Sequence, residues 1–429
     1  MFGFANFLLL ALFAAAVFDL IFALARGGGL RGALHGLWNT PHLLFGQQLA
    51  EWRLQLGRIL FAAGLAAYEI SVVFCNSMAR QNWAWVQGVM SPVLEWLAFL
   101  CFGAKILFGT RYTWRELLAG GALYFIARWV YFNSQNIWWI GIVVAVLAAK
   151  DVLLRRPLQV YFASGCAAMA VVLALHFAGI VAPDLTSERM GALRGTYGYG
   201  HPNTFGGLVF GLVLAYALLR AQKVRWVDCL LVFAVGVFLL VGPASRSAAL
   251  CTLALAVGLV FCRLRAGHSV PRWWPGTCAG MVGLTAAVSY LLPLLVIKVG
   301  PWNNDIGPAW LAKLDSLLTC RISLTWMAYR LLDVKIAGQV FNWPTVDNSF
   351  AFALFQFGPV VAALLGILFA AALWGHAKQG RRVEVCCLFA MLAYAYMEVQ
   401  PFHLTTNPTA LLLCGAVFAQ TSARWQKIE

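Results

Sequence analysis

Residues 350–374 read FAFALFQFGPVVAALLGILFAAALW, an apolar run that contains no charged side chain. A helix needs roughly 20 mostly apolar residues to cross a bilayer, so this run predicts a membrane-spanning helix. The whole chain has the same character, because 62% of its 429 residues are hydrophobic and only 11% are charged. Soluble domains are about 25% charged. The sequence therefore predicts an all-α integral membrane protein.

Comparable apolar runs recur from one end of the chain to the other. The candidate spans are residues 2–25, 59–76, 88–109, 115–132, 137–149, 160–182, 203–219, 227–243, 247–262, 274–297, 350–374, 385–399 and 407–421. The run at 137–149 is short, and residues 27–58 read as an amphipathic interfacial stretch. We expect about 11 to 14 spans in a single polytopic domain covering residues 1–429. The first run lacks the basic start and cleavage site of a signal peptide, so it is expected to remain as a helix.

The net charge of +15 could indicate nucleic-acid binding, but the cations are scattered in short loops between apolar runs. Most of the 31 Lys and Arg fall in alternate loops. The positive-inside rule places those loops and the C-terminus in the cytoplasm of a cell with a bacterial-type inner membrane. The opposite, outer loops carry nine cations: Arg80, Arg189, Arg194, Arg246, Lys298, Lys313, Arg321, Arg330 and Lys335. These nine are the unusual ones, and no nucleic-acid partner is expected.

The 11 cysteines do not form a metal-binding pattern. Most lie inside apolar runs, where a thiol behaves as a small hydrophobic group. The chain contains no CxxC pair and no Cys/His spacing that suits zinc. We expect neither a metal nor another cofactor.

One outer loop, residues 298–349, is much longer than the others. Helical periodicity from Leu311 to Leu332 predicts one or two amphipathic helices on the outer surface, and these would carry Arg321 and Arg330. A guanidinium fork suits the oxygens of a diphosphate. Asp347, followed by Asn348, directly precedes the next span. Asp347 could cap that helix or act as a general base.

The segment RGTYGYGHPNTFGG, residues 194–207, lies between two spans. Pro202 suits a first helical turn, so His201 would lie at a helix N-terminus, which favours anions. One interpretation is a loop that faces a ligand through Arg194, Tyr199 and Asn203. The other is a re-entry loop whose polar residues only cap the helix.

Two further outer turns carry charge. In PASRS, residues 243–247, Arg246 could bind an anion or reach the lipid headgroups. Between the last two spans lie Glu398, Gln400, His403 and Asn407, where Glu398 is either functional or a solvated loop carboxylate.

Five ionisable residues fall within predicted spans: Asp19, Glu69, Glu95, Lys105 and Arg128. Ionisable residues at membrane depth are usually paired. Since Glu69, Glu95 and Arg128 fall in the same third of their spans, we expect an Arg128–Glu pair to hold helices together.

Several segments together resemble the O-antigen ligase and Wzy-type polysaccharide polymerase superfamily. They are PASRSAAL, CRISLTWMAYRLL and VDNSFAFALFQFGPVVAALLGILF, in this order and with one long outer loop. The segments RGTYGYGHPNTFGG and AYMEVQPFHLTTNPTALLL are similar to the polymerase branch that makes exopolysaccharide or capsule. The resemblance covers about residues 160–421.

The resemblance implies a GT-C-like, metal-independent, inverting glycosyltransferase on the outer leaflet of the inner membrane. Its donor and acceptor would be glycans on polyprenyl diphosphate, and its partners a chain-length regulator and a flippase. The diphosphate-binding arginines of the family correspond to Arg246 and Arg321. The ligase branch has a His-Asn pair where this chain has Asp347-Asn348, so the ligase activity is less expected.

The expected reaction is a one-step displacement at the anomeric carbon. Arg246, Arg321 and Arg194 would stabilise the leaving diphosphate, and Asp347 or His201 would take the acceptor proton, with Glu398 as a third candidate. Arg330 and Asn348 would contact substrate. A ligase, a lipid-linked sugar flippase and a structural membrane partner are the alternatives. A transporter usually has charge near the membrane midplane and two similar halves, which this sequence does not suggest.

Overall fold

The structure is a computed structural model that describes residues 2–25, 29–45, 51–181, 187–189, 192–296 and 307–418. Helices account for most of these residues. In chain order they are α1 (Phe2–Ala25), α2 (Gly29–Asn39), α3 (Glu51–Cys75), α4 (Ala79–Asn82), α5 (Ser91–Phe108), α6 (Trp114–Ser134), α7 (Ile137–Ala148), α8 (Arg155–Phe177), α9 (Pro202–Leu219), α10 (Trp226–Val241), α11 (Arg246–Leu264), α12 (Trp274–Leu291), α13 (Ala309–Leu317), α14 (Arg321–Leu331), α15 (Ser349–Phe352), α16 (Pro359–Lys378), α17 (Arg382–Met397) and α18 (Cys414–Val417).

The remaining regular segments are short. Two π-helical segments cover Val86–Met90 and Ala353–Phe357, and three 3₁₀ segments cover Leu292–Leu295, Gln400–Phe402 and Pro408–Leu413. Strand β1 (His42–Leu43) pairs antiparallel with β2 (Arg111–Tyr112), with His42 opposite Tyr112. Strand β3 (Ser187–Arg189) pairs antiparallel with β4 (Ala192–Arg194), with Ser187 opposite Arg194.

Within the described residues, 8 helices are long and apolar enough to cross a membrane. They are Asn6–Ala25, Glu51–Cys75, Val86–Phe108, Arg155–Phe177, Pro202–Leu219, Arg246–Leu264, Trp274–Leu295 and Pro359–Lys378. Three shorter apolar helices are Ile137–Ala148, Trp226–Val241 and Pro408–Val417. This content supports an all-α, multi-pass membrane protein. The number of spans, from about 11 to 14, stays a prediction.

Three predicted boundaries are wrong. The helix expected over residues 350–374 is interrupted at Gly358: α15 and the π-helical segment cover residues 349–357, and α16 begins at Pro359 because Gly358 has a φ of +88°. The helix expected from residue 59 begins at Glu51, which places the end of the supposed interfacial stretch inside α3. Of the run at 407–421, the structure describes residues up to 418, and these form 3₁₀ turns over Pro408–Leu413 and then the short α18.

The described chain forms two compact units, each built from separate segments. Unit 1 comprises Met1–Arg128, Ile140–Thr204 and Ala410–Glu429, and unit 2 comprises Trp129–Trp139 and Phe205–Thr409. In unit 1, helix α3 packs against α5 and α8. In unit 2, α11 packs against α10 and α17, and α12 packs against α16.

Unit 1 contains a buried network of charged residues beside the β1–β2 pair. The Lys150 ammonium lies 3.3 Å from a Glu116 carboxylate oxygen, and Asp151 accepts a hydrogen bond from the Arg111 backbone N–H at 2.9 Å. Lys105 donates to the Thr110 hydroxyl at 2.7 Å. Each buried charge thus has a polar partner, as burial requires.

The core of unit 2 is apolar and joins α9, α10, α11 and α17. Its fully buried residues include Phe210, Leu214, Leu239 and Cys387. The antiparallel packing matters for the site, because α11 begins and α17 ends at the same polar cluster.

Candidate functional site

In unit 2, four chain segments bring polar side chains together: the first turn of α11, the first turn of α14, the end of α17 and residues 347–349. The central contact is a buried ion pair between Arg321 and Glu398, with 2.6 Å between the guanidinium Nη2 and the carboxylate Oε1. Ser247 donates its hydroxyl proton to the same Glu398 oxygen at 2.8 Å. We call Arg321, Glu398 and Ser247 the buried triad.

Every nitrogen of the Arg321 guanidinium donates a hydrogen bond to the protein. Nη1 bonds to the Leu318 carbonyl at 2.9 Å, Nη2 also lies 3.3 Å from the Ser247 hydroxyl, and Nε bonds to the Met397 carbonyl. The side chain is only 8% exposed. Arg321 was expected to hold a diphosphate, but in this conformation each of its three guanidinium nitrogens already donates to the protein.

A second carboxylate fixes the backbone that carries Arg321. Asp315 on α13 is fully buried and accepts hydrogen bonds from the backbone N–H groups of Ile322 at 2.7 Å and Ser323 at 3.1 Å. These N–H groups belong to the first turn of α14 and have no partner within the helix. The turn between the helices is tight, since Cys320 has a φ of 63°. Asp315 therefore sets the direction in which α14 begins.

The surroundings of Glu398 determine the pKa of its carboxyl group. The residue follows the last turn of α17 in extended backbone, with φ −142° and ψ 151°. Burial raises the pKa of the Glu398 carboxyl above its ordinary value, Arg321 and Ser247 oppose that rise, and nearby Asp347 adds to it. The guanidinium at 2.6 Å is the reason that this buried carboxylate can stay ionised.

The helix cap after the long loop is Asn348, so of the two roles considered for Asp347 the cap does not apply. The Asn348 side-chain oxygen accepts from the Phe350 and Ala351 backbone N–H groups at 2.9 and 3.0 Å. Its amide nitrogen donates to the Ser289 hydroxyl at 3.0 Å. Asn348 is 4% exposed, so it holds the start of α15 in place instead of facing solvent.

Two charged residues border the buried triad. Asp347 is half-buried, and its charge acts on Glu398. Arg246 precedes Ser247 at the first position of α11 and is exposed. The neighbourhood therefore combines one accessible guanidinium, one partly accessible carboxylate and one internally neutralised ion pair.

Arg330 does not belong to this neighbourhood. It lies nine residues after Arg321, which is about 13 Å along an α-helix. The side chain is exposed, and its guanidinium carbon lies 5.4 Å from the centre of the Trp326 ring.

The predicted residues of the glycine-rich loop belong to unit 1. Arg194 donates to the Asn203 side-chain oxygen at 3.0 Å, and the Asn203 backbone N–H donates to His201 Nδ1 at 3.1 Å. His201 is exposed next to the first turn of α9, whereas Tyr199 is fully buried. Arg194, Asn203 and His201 thus contact one another, whereas Tyr199 packs in the interior.

The residues after Glu398 hydrogen-bond to α17 and to one another. Tyr394 donates its hydroxyl proton to the Gln400 side-chain oxygen at 2.7 Å, and Asn407 donates to the Pro401 carbonyl at 2.9 Å. The His403 ring lies 3.8 Å from the Trp138 ring, centre to centre. Burial lowers the pKa of His403 to about 4, so its ring is neutral at neutral pH. These contacts shape the segment that ends α17.

Metal chemistry has no obvious location in the described ranges, since no group of three or more His, Cys, Asp or Glu there could hold an ion. Near the buried triad, Arg246 can bind an anion and Asp347 can accept a proton. To take over the nitrogen that pairs with Glu398, Nη2 of Arg321, a diphosphate would have to replace that carboxylate.

Three residues of this neighbourhood were not among the predicted site residues: Ser247, Ser289 and Asp315. Ser247 adjoins Arg246 in the PASRS turn, and Asp315 is a carboxylate within an amphipathic helix, which is a usable signal. Ser289 has no comparable signal, because it lies inside an otherwise apolar helix. Comparison of the chain with protein-family models, curated proteins and solved structures found no match.

Proposed function

We propose that this protein is a glycosyltransferase that polymerises polyprenyl-diphosphate-linked oligosaccharide repeat units at the outer leaflet of the inner membrane. The observation that carries the proposal is the grouping in unit 2 of exposed Arg246, half-buried Asp347 and the buried triad. The resemblance of the same segments to the Wzy-type polymerases supports it. A donor lipid would enter from the bilayer, which suits a chain with 8 candidate spanning helices.

In the proposed reaction, an acceptor sugar hydroxyl attacks the anomeric carbon of the donor glycan. The new bond joins the acceptor oxygen to that carbon, and the bond from the carbon to the diphosphate oxygen breaks. Polyprenyl diphosphate leaves with the bonding electrons, and Asp347 takes the hydroxyl proton. Charge grows on the leaving diphosphate, so a preorganised cation lowers the barrier.

In this proposal the two arginines act in turn. Arg246 is exposed and is the side chain that would contact the diphosphate on arrival. Arg321 is neutralised by Glu398, and it would contribute its charge only if the diphosphate displaced that carboxylate. The scheme assigns no step to His201, Arg194, Tyr199 and Asn203, which belong to unit 1.

The proposal is tested with purified protein in vesicles that contain lipid-linked repeat units and no energy source. Wild-type protein should build long chains, while Arg246→Ala should yield mainly single units and Arg246→Lys an intermediate pattern. Loss of one charge-stabilising donor typically lowers the rate about 10²- to 10³-fold. Arg272→Ala is the matched control, because Arg272 is also an exposed arginine of unit 2. Polymer of wild-type length from Arg246→Ala would refute the assignment.

The ligase alternative uses the same donor and differs only in its acceptor, so adding a lipid A acceptor to the vesicles separates the two. The flippase alternative is favoured by one observation, the deeply buried Glu69 in a candidate spanning helix. A flippase would move lipid-linked units across the bilayer without lengthening them.

A further inference from the structure

Helix α3 of unit 1 contains a carboxyl group that the proposed reaction does not use. Glu69 is 1% exposed and lies six residues before the end of α3, about 9 Å along the helix axis. Its Oε2 atom accepts no hydrogen bond. Since α3 is a candidate span, this group is placed where charge is costly.

The groups that face Glu69 are uncharged at neutral pH. Its charge acts on the phenols of Tyr161 and Tyr199 and on the thiol of Cys166, and Tyr68 adjoins it in the chain. Tyr161 and Cys166 belong to α8, which packs against α3, and Tyr199 belongs to the glycine-rich loop. None of these side chains supplies a positive charge.

The cations on the neighbouring helices are bonded elsewhere. Arg53, near the opposite end of α3, donates to the Phe108 carbonyl at 2.9 Å. Lys105 on α5 donates to Thr110 at 2.7 Å, and Arg128 on α6 donates to the Asn6 side-chain oxygen at 2.6 Å. The expected Arg128–Glu pair is therefore wrong for Glu69.

The other titratable groups nearby leave Glu69 without a countercharge. Glu95 on α5 lies close enough to act on Tyr68 and would add negative charge. His176 on the last turn of α8 packs beside Gly198, and no ion pair joins it to Glu69. Within the described residues, Glu69 thus has neither an ion-pair partner nor a nearby cation.

A buried carboxylate without a partner is unstable by several kcal/mol, and such a group takes up a proton instead of remaining charged. The neutral acid has one O–H donor and can share it with a neighbouring oxygen. We propose that Glu69 is a proton-binding site in unit 1, occupied at neutral pH by one proton that keeps α3 packed against α8 and the glycine-rich loop.

The site connects to the loop that carries Arg194, His201 and Asn203. Tyr199 forms a backbone bridge with Ser77, and the Met78 N–H donates to the Gly198 carbonyl at 2.8 Å. Removing the proton puts a bare negative charge against Tyr199, so the ionised state disfavours this packing. Proton release from Glu69 therefore loosens the attachment of the loop to the end of α3.

The test uses full-length protein in vesicles and infrared difference spectroscopy at neutral pH. A protonated carboxylic acid has a C=O stretching band separate from those of carboxylates, and the band shifts in D₂O. Wild type minus Glu69→Gln should show this band, and wild type minus Glu95→Gln should lack it, because Glu95 is only partly buried. Absence of the band from wild type, or its persistence in Glu69→Gln, would overturn the proposal.

A stability measurement covers the case in which a spectrum is ambiguous. Since glutamine mimics the neutral acid, Glu69→Gln should melt within about 2 °C of wild type at neutral pH, and it should lack the alkaline destabilisation of wild type. A large loss of stability in Glu69→Gln would mean that the carboxylate is ionised and paired. Loss of the infrared band on adding NaCl at fixed pH would assign the site to a sodium ion and refute the proton. Both readouts are independent of glycosyl transfer, so this proposal and the proposed function can fail separately.

Discussion

Removing one member of the Arg321–Glu398 pair should be among the most destabilising single changes in unit 2. The side chains of the two residues are 8% and 7% exposed, and the charged atoms lie 2.6 Å apart. At an effective dielectric of about 20 their attraction is about 6 kcal/mol. Desolvation of two ions costs several kcal/mol each, so the intact pair contributes little net stability. Arg321→Ala instead leaves Glu398 buried without its counter-charge, which costs about 3–5 kcal/mol.

The assay is unfolding in mixed micelles with increasing SDS, followed by tryptophan fluorescence. The set comprises Arg321→Ala, Glu398→Ala, the double variant and Arg330→Ala, an exposed arginine on the same helix that serves as control. The double variant should lose less free energy of unfolding than the sum of the single variants, with a coupling of about 1–3 kcal/mol. The control should stay within about 0.5 kcal/mol of wild type.

Two results would refute the reasoning. Strictly additive losses would mean that the two side chains do not interact. An Arg321→Ala variant as stable as Arg330→Ala would mean that Glu398 is neither buried nor dependent on the guanidinium.

Three further predictions concern stability. Asp315→Ala removes the acceptor for the Ile322 and Ser323 N–H groups and should lower the free energy of unfolding by about 1–3 kcal/mol in the same assay. The control Asp333→Ala changes an exposed residue and should leave this free energy almost unchanged. Equal losses in the two variants would contradict the role given to Asp315. Gly358→Ala should prevent stable folding, because φ is +88° and the new Cβ would overlap the Ile336 carbonyl oxygen. The variant should aggregate on gel filtration. In the control Gly366→Ala the new Cβ meets no atom within 4 Å, so this change should be neutral. The pKa of the Asp151 carboxyl lies below its ordinary value. Burial raises this pKa, but the combined lowering by Lys150, Lys105 and Arg111 is larger than that rise. The ionised Asp151 should therefore stabilise the fold above the unfolded pKa of about 3.9, and this stabilisation should disappear as the pH falls through the folded pKa. The difference in melting temperature between wild type and Asp151→Asn should accordingly vanish in acid. A difference that does not change with pH would refute this prediction.

The sequence predicted the helical membrane character because apolar runs of spanning length need no tertiary information. It also grouped Arg194, His201 and Asn203, since they are close in the chain and a proline-started helix follows. Periodicity in the long loop likewise predicted amphipathic helices, and α13 and α14 occupy that stretch.

Helix ends were less predictable. Hydropathy alone joined residues 350–374 into one span, but the backbone at Gly358 turns with a positive φ and α16 starts afresh at Pro359. The same limitation left open whether Asp347 caps the next helix, whereas in the structure Asn348 accepts the hydrogen bonds of the free N–H groups.

Only the tertiary structure decided which charged side chains pair with each other. Arg321 and Glu398 are far apart in the chain, and nothing local shows that one neutralises the other. They meet because α11 and α17 pack along their length and α14 begins where α17 ends. Glu69 is the opposite case: its predicted depth in the membrane suggested a pair between Arg128 and a glutamate, but Arg128 bonds to Asn6, and the phenols of Tyr161 and Tyr199 lie within reach of the Glu69 charge. The sequence determines which residues can carry charge within the protein, and the packing of the helices determines which of those charges are compensated.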